Sequence, residues 1–235
     1  MKRLSLFLAA LAMLLGSSVH AYASTILTTP AGLAPGSEFR FVFVTDGTMP
    51  AVSTSISTYN TFVNNQAAGY SYNGLSLDNT WSVIGSTSTE SAISNIGTYN
   101  VPVYLSNGTL VSPSDGISGL FSGSLDYRID TDLSGDTLPS GVWTGTADNG
   151  NGLPGFTLGS YGVVYGEASH ANNAWVRAGI ASPAGSASLP FYGISAELTV
   201  PGVATTPEPS TLTLLGIGIA GMAGYGWRRR KLAAA

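Results

Sequence analysis

Phe39-Arg40-Phe41-Val42-Phe43-Val44 is the stretch on which the fold turns. Aromatic and β-branched residues fill it around a single arginine, a composition that favours a pleated strand. A strand with one wet face alternates apolar and polar residues, and this one does not. It therefore predicts a central strand covered on both sides. Asp46-Gly47 and Pro50 end the run. Beyond them, Val52, Ile56, Tyr59, Phe62 or Val63, and Ala67 recur at three- and four-residue spacing, which predicts a helix over Ser53–Ala68 with one apolar stripe. Ser53 or Thr54 is placed to cap it and Gly69 to end it. Tyr59 and Phe62 read as core contacts rather than ligand contacts.

The rest of the domain continues as strands and turns. Trp81-Ser82-Val83-Ile84 alternates like a strand. Thr87-Ser88-Thr89-Glu90 predicts a capping box, with Thr87 as N-cap and Glu90 at the third helical position, opening a short helix through Ala92, Ile93 and Ile96. Pro102 inside Val101–Leu105 predicts an edge strand. Asn107-Gly108 is a turn signal, with Thr109-Leu110-Val111 returning from it. Residues 112–160 are rich in Gly, Ser and Asp and poorly periodic, with Val142–Thr146 as the one strand-like island; a loop region of that length points to function. Tyr161–Tyr165, Ala174–Ala178 and Phe191–Val200 are late strand candidates, with Phe191, Gly193 and Ser195 on one face of the last. The fold class is α+β: two N-terminal helices, antiparallel sheets and long loops. This order, with Trp81, Trp143 and Trp175 in strand-like contexts and the closing Leu189-Pro190-Phe191-Tyr192-Gly193-Ile194, is similar to the C-type lectin-like fold over about Phe39–Val200. The sequence departs from that family in lacking its disulfide cysteines and its Glu-Pro-Asn or Gln-Pro-Asp triplet. Calcium-dependent sugar binding in the family's manner is therefore carried over to no residue here.

The two ends read as addresses. Lys2 and Arg3 precede an apolar run, Leu4 to Leu15, and Ala21-Tyr22-Ala23 offers small residues at −3 and −1. That is the pattern of a signal peptide over residues 1–23, cut after Ala23. At the other end, Pro207-Glu208-Pro209 precedes an apolar run and then Arg228-Arg229-Arg230-Lys231. The run predicts a transmembrane helix over 211–227, about 24 Å long at roughly 1.5 Å per residue and slightly short of a bilayer core. Snorkelling arginines would cover the difference, with the cations on the cytoplasmic side. Gly216, Ala220 and Gly224 share one face of that helix, a spacing suited either to docking against another helix or to weak self-association. Pro-Glu-Pro, a short glycine-rich apolar segment and a terminal arginine cluster together resemble the PEP-CTERM sorting signal of Gram-negative bacteria, the alternative being an ordinary C-terminal anchor. The resemblance implies removal of the tail by an exosortase, a membrane-embedded, cysteine transpeptidase-like enzyme. It also implies an exported protein of the cell surface or extracellular matrix, associated with exopolysaccharide and biofilm. The domain between the ends, 24–204, would lie outside the cytoplasm, leaving 205–235 as the signal.

Charge and chemistry narrow the role of that domain. From Ser24 to Thr206 there are twelve acids against three arginines (Arg40, Arg128 and Arg177), a formal charge of −9. An acidic module without a basic patch is a poor partner for nucleic acid or anionic lipid. The chain has no cysteine, which excludes thiol nucleophiles and thiolate metal sites. Asp130, Asp132 and Asp136, with Ser134 and Gly135, echo the first half of a calcium loop, but the twelfth position is Gly141 rather than a glutamate. The choice there is a calcium site or a solvated acidic loop. Asp148-Asn149-Gly150-Asn151-Gly152 with Trp143 would make a sugar site if the indole were open, or a tight turn beside a core tryptophan. His170 is the single histidine of the domain, beside Ser169, without a nucleophile elbow or a second histidine. No glycine-rich phosphate loop follows a strand. The reading is a non-catalytic surface or matrix protein without a required cofactor. A lectin-like module and a polysaccharide-acting hydrolase are the alternatives, the latter needing two carboxylates facing across a cleft.

Overall fold

The computed structural model describes residues 25–97, 100–113, 119–138 and 141–202. Strand β2 (Glu38–Val44) is central, as the sequence predicts. Strand β11 (Tyr192–Ser195) lies antiparallel beside it, with Tyr192 opposite Val44 and Ile194 opposite Val42. Strand β6 (Val103–Tyr104) runs parallel on the other side, with Arg40 opposite Val103. Adding β5 (Trp81–Val83) and β7 (Leu110–Ser112) gives the order β5-β11-β2-β6-β7, and β12 (Leu198–Thr199) pairs with the start of β2.

The period of two along β2 sends Phe39, Phe41 and Phe43 to one face and Arg40, Val42 and Val44 to the other, and all six are buried. The phenylalanines build a core with Tyr59, Val63, Trp81 and Phe191. Edge-to-face contacts hold it, Phe39–Phe41 at 5.1 Å and Phe43–Trp81 at 5.0 Å. The valines build a second core with Ile84, Ile129, Val142, Trp175, Tyr192 and Ile194. One strand thus anchors two apolar layers, which is why it carries no polar alternation. The arginine in the run is not an exception at the surface. Its Nε donates to the Ser195 carbonyl at 2.6 Å and its Nη1 to the Ile96 carbonyl at 2.9 Å. Ser195 opens a one-residue register slip between β11 and β12, and its hydroxyl accepts the Phe41 N–H at 3.0 Å in place of a ladder bond.

Helix α1 (Ile56–Gln66) is shorter than the predicted 53–68. Ser55, not Ser53 or Thr54, occupies the N-cap and makes no side-chain cap bond; the Ser53 hydroxyl instead accepts the Ser55 N–H at 3.2 Å. The predicted stripe holds at Tyr59, Val63 and Ala67, all buried, while Val52 lies outside the helix, 59% exposed. Two mid-helix asparagines face β5 rather than solvent. Asn64 accepts the Trp81 N–H at 3.0 Å and donates to the Trp81 carbonyl at 2.7 Å. Asn60 accepts the Val83 N–H at 2.8 Å, and Asn95 donates to the Val83 carbonyl at 2.8 Å. Since β5 is the end of the sheet, these amides cover an edge that would otherwise present unpaired backbone.

Asn95 comes from α2 (Ala92–Ile96), whose N-cap is Ser91, its hydroxyl accepting the Ser94 N–H at 3.2 Å. The predicted capping box at Thr87 does not open this helix. Thr87 N–H donates to the Glu90 carbonyl at 2.8 Å and the Thr87 hydroxyl accepts the Glu90 N–H at 3.2 Å, closing a turn before the helix begins. Strand β6 is interior rather than an edge, because Pro102 stands just before it and contributes only its carbonyl, to Arg40 N–H at 3.0 Å. The Asn107-Gly108 turn into β7 forms as predicted, with Gly108 at φ 85°.

Two smaller sheets flank this one: β1 (Thr25–Leu27), β3 (Tyr70–Tyr72) and β4 (Leu75–Ser76), and the antiparallel β8 (Gly141–Trp143), β9 (Val163–Glu167) and β10 (Gly179–Ala181). The predicted strand at Ala174–Ala178 is instead a 3₁₀ turn at Asn173–Trp175, started by the Asn172 side chain accepting the Ala174 N–H at 3.0 Å. The long 112–160 region is irregular yet packed, since Leu120, Leu125, Ile129 and Leu133 are all buried. The architecture is mostly sheet with few helices, α+β or mainly β. Among the described residues no helix is long and apolar enough to cross a membrane. The terminal segments predicted at 4–15 and 211–227 lie outside the described residues.

Candidate functional site

The acidic segment is tied to the end of β2 and closed on itself. Val44 N–H donates to the Thr131 carbonyl at 2.9 Å and Leu138 N–H to the Asp130 carbonyl at 2.9 Å. Asp130 is buried and pairs with the Arg128 guanidinium, which that carboxylate holds above its ordinary pKa. Its other oxygen, Oδ1, has no hydrogen-bond partner. Asp132 uses Oδ1 to accept the Asp136 N–H at 2.9 Å, closing a turn around Gly135 at φ 92°. Of the three carboxylates suggested as calcium ligands, Asp130 therefore faces inward against a cation and Asp132 ties its own loop. Among the described residues no three His, Cys, Asp or Glu side chains converge to hold a metal ion.

Trp143 does not form an open sugar platform. It is 0% exposed, within the core beside Phe191, and its Nε1 has no partner. Stacking on a ligand needs a free ring face, so that pairing with the Asp148–Gly152 turn is corrected. The turn itself forms: Asn149 Oδ1 accepts the Asn151 N–H at 3.1 Å and Gly150 takes φ 79°. Asp148 leaves it to grip Arg177, whose Nε and Nη2 donate at 2.8 and 2.7 Å. This fork keeps the guanidinium above its usual pKa. The pair lines an open cleft of about 460 Å³ together with Leu153, Asn173, Ala178 and, in β10, Gly179 and Ile180. Neither Arg177 nor Ile180 stands out in the sequence. Each belongs to a segment far from residue 148, and no spacing rule joins them. A second cleft of about 360 Å³ runs between Thr87–Ser91 and Gly152–Thr157, lined by hydroxyls and the Glu90 carboxylate.

His170 touches Ser169 at 3.2 Å, Nδ1 to Oγ, on an exposed turn. Burial, followed by the charge of Glu38, raises the pKa of the Glu197 carboxyl. Ala21 and Ala23 of the predicted signal cleavage site, and Pro207, Glu208, Pro209, Arg228, Arg229 and Arg230 of the tail, lie outside the described residues.

Comparison with known families gives the tail its identity. The family model described as the PEP-CTERM protein-sorting motif matches residues 205–231. The chain carries this signal, which marks an exported protein processed by exosortase, a membrane enzyme. No curated protein sequence matches the chain.

Proposed function

We propose that the domain works outside the cell as a non-catalytic, polysaccharide-associated component of the surface or extracellular matrix, delivered there by exosortase removal of its tail. A lectin-like carbohydrate-binding module is the alternative reading. The observation that carries it is the sorting motif at 205–231 following a folded, acidic domain. The main sheet closes at Val200, whose N–H donates to the Ser37 carbonyl at 2.8 Å. Six residues, Pro201 to Thr206, separate it from Pro207, a reach of at most about 20 Å in extended chain. The charge of −9 keeps the domain off anionic membrane lipid and nucleic acid and leaves uncharged polymers as its suited partners.

The test is intact mass and fractionation of the chain made in a host with its exosortase. The wild type should lose both ends and co-fractionate with matrix polysaccharide. With Pro207, Glu208 and Pro209 replaced by alanine, the tail should stay and the protein remain in the membrane fraction. Uncut wild-type chain in the cytosol would overturn the proposal.

A further inference from the structure

We infer that the cleft along β10 is a binding site for a neutral saccharide chain. This rests on the polysaccharide reading above and gives it an address. A pyranose presents C–H groups on its faces and hydroxyls around its rim, so a site for it needs an apolar shelf next to fixed donors and acceptors without net charge. The cleft has both. Its shelf is Ile180, 45% exposed, with Leu153 also lining it. Phe156, 38% exposed, neighbours this shelf across Gly162, where an added Cβ would lie 3.3 Å from Ile180 Cγ2 and 3.4 Å from Phe156 Cδ1. Its polar wall is the Asp148–Arg177 fork, with the Asn173 amide beside it.

That ion pair is suited to hydroxyls for a physical reason. The carboxylate and guanidinium cancel in charge, yet each keeps capacity beyond the two bonds they share: further lone pairs on Asp148 and further N–H groups on Arg177. Holding each other, they are already ordered, so a ligand does not bear the cost of immobilising them. Strand β10 is terminal in its sheet, paired with β9 alone, so its outer backbone edge adds further donors and acceptors. The cleft volume of about 460 Å³ falls in the roughly 300–1,000 Å³ range of ligand sites. Charge decides among occupants. A second copy of the domain or an acidic polymer would meet a body carrying −9, whereas an uncharged chain meets no such repulsion.

The test is affinity gel electrophoresis of the mature, tail-processed protein in gels holding dextran, laminarin, mannan, galactomannan, the producing cells' own matrix polysaccharide, or anionic alginate. Wild type should be retarded by at least one neutral polymer, and Leu153→Ala and Arg177→Ala should each weaken that retardation about tenfold. Ile180→Lys, which alters the cleft without emptying a core, should do the same with an unchanged melting temperature. Leu75→Ser, an exposed apolar position on another sheet, should bind as wild type. Wild-type retardation that all three cleft variants retain overturns the site while leaving the polysaccharide reading intact. Retardation by alginate alone overturns the neutral ligand. No retardation in any gel, the cells' own polymer included, overturns both.

Discussion

Replacing Asn64 by alanine tests whether side-chain amides close the edge of the main sheet. Asn64 makes two bonds to one residue, accepting Trp81 N–H at 3.0 Å and donating to Trp81 O at 2.7 Å. Each such bond contributes about 0.5–1.5 kcal/mol net, and a partly buried backbone group left unpaired costs about 1–3 kcal/mol. Alanine returns roughly 0.6 kcal/mol through its higher helix propensity. The expected loss is about 2 kcal/mol, or roughly 4–8 °C in melting temperature for a domain of this size. Urea titration of the mature protein reads the total, and amide hydrogen exchange reads the cause. In Asn64→Ala the Trp81 amide should exchange faster. The Val83 amide, held by Asn60 at 2.8 Å, should change less. A variant within about 0.5 kcal/mol of wild type, or one in which both amides keep their protection, would refute the edge-covering role.

Gly193→Ala should destabilise by about 1–3 kcal/mol, because the new methyl would lie 2.6 Å from Val63 Cγ1 and 2.8 Å from Phe43 Cζ; chemical denaturation should show part of that loss relieved when Val63→Ala is added, and strict additivity of the two changes would count against it. Trp143→Ala should cost about 3–5 kcal/mol as a cavity mutation. Trp143→Phe should cost clearly less, since Nε1 has no partner to lose; thermal denaturation that ranks the two equally would contradict core burial. Glu197→Gln should raise the melting temperature near neutral pH. The Glu197 pKa is raised in the fold, by burial and then by Glu38, so between the ordinary glutamate range and that raised value the native state holds more protons than the unfolded chain. Stability then rises as pH falls through that window, and the advantage of glutamine should shrink toward pH 4. A glutamine advantage that stays constant with pH would show that ionisation of Glu197 is not its source.

The strand at 39–44 was legible because burial on both faces leaves a one-dimensional mark: apolar residues at odd and even positions alike. The helix stripe Tyr59–Val63–Ala67 was legible for the same kind of reason, as was the Asn107-Gly108 turn. The misreadings share a cause. The Thr87–Glu90 spacing satisfies a capping box, yet the same hydroxyl closes a turn with equal ease, and only the position of Ala92 beneath the sheet decides between them. Trp175 looked like a strand residue because large aromatics favour strands. The Asn172 side chain overrode that preference with a local cap. Asparagine in mid-helix carries no propensity signal for edge covering, so Asn60 and Asn64 were invisible without β5 in place.

The sorting signal and the cleft differ in how they can be known at all. The sorting motif is contiguous in sequence, so Pro207-Glu208-Pro209 with Arg228–Arg230 is enough to recognise it. The cleft is assembled from residues 148, 153, 173, 177 and 180, delivered by a turn, a loop, a 3₁₀ turn and a terminal strand. The Asp148 turn could be read locally, but its partner could not, and the nearest aromatic in sequence, Trp143, was the wrong one. Its ring is spent on the core, where it packs near Phe191. Exposure is a property of the folded sheet, not of residue type. A candidate ligand platform therefore has to be sought among aromatics that the two cores leave outside, such as Tyr127, Phe156 and Tyr161, and Trp143 is not one of them.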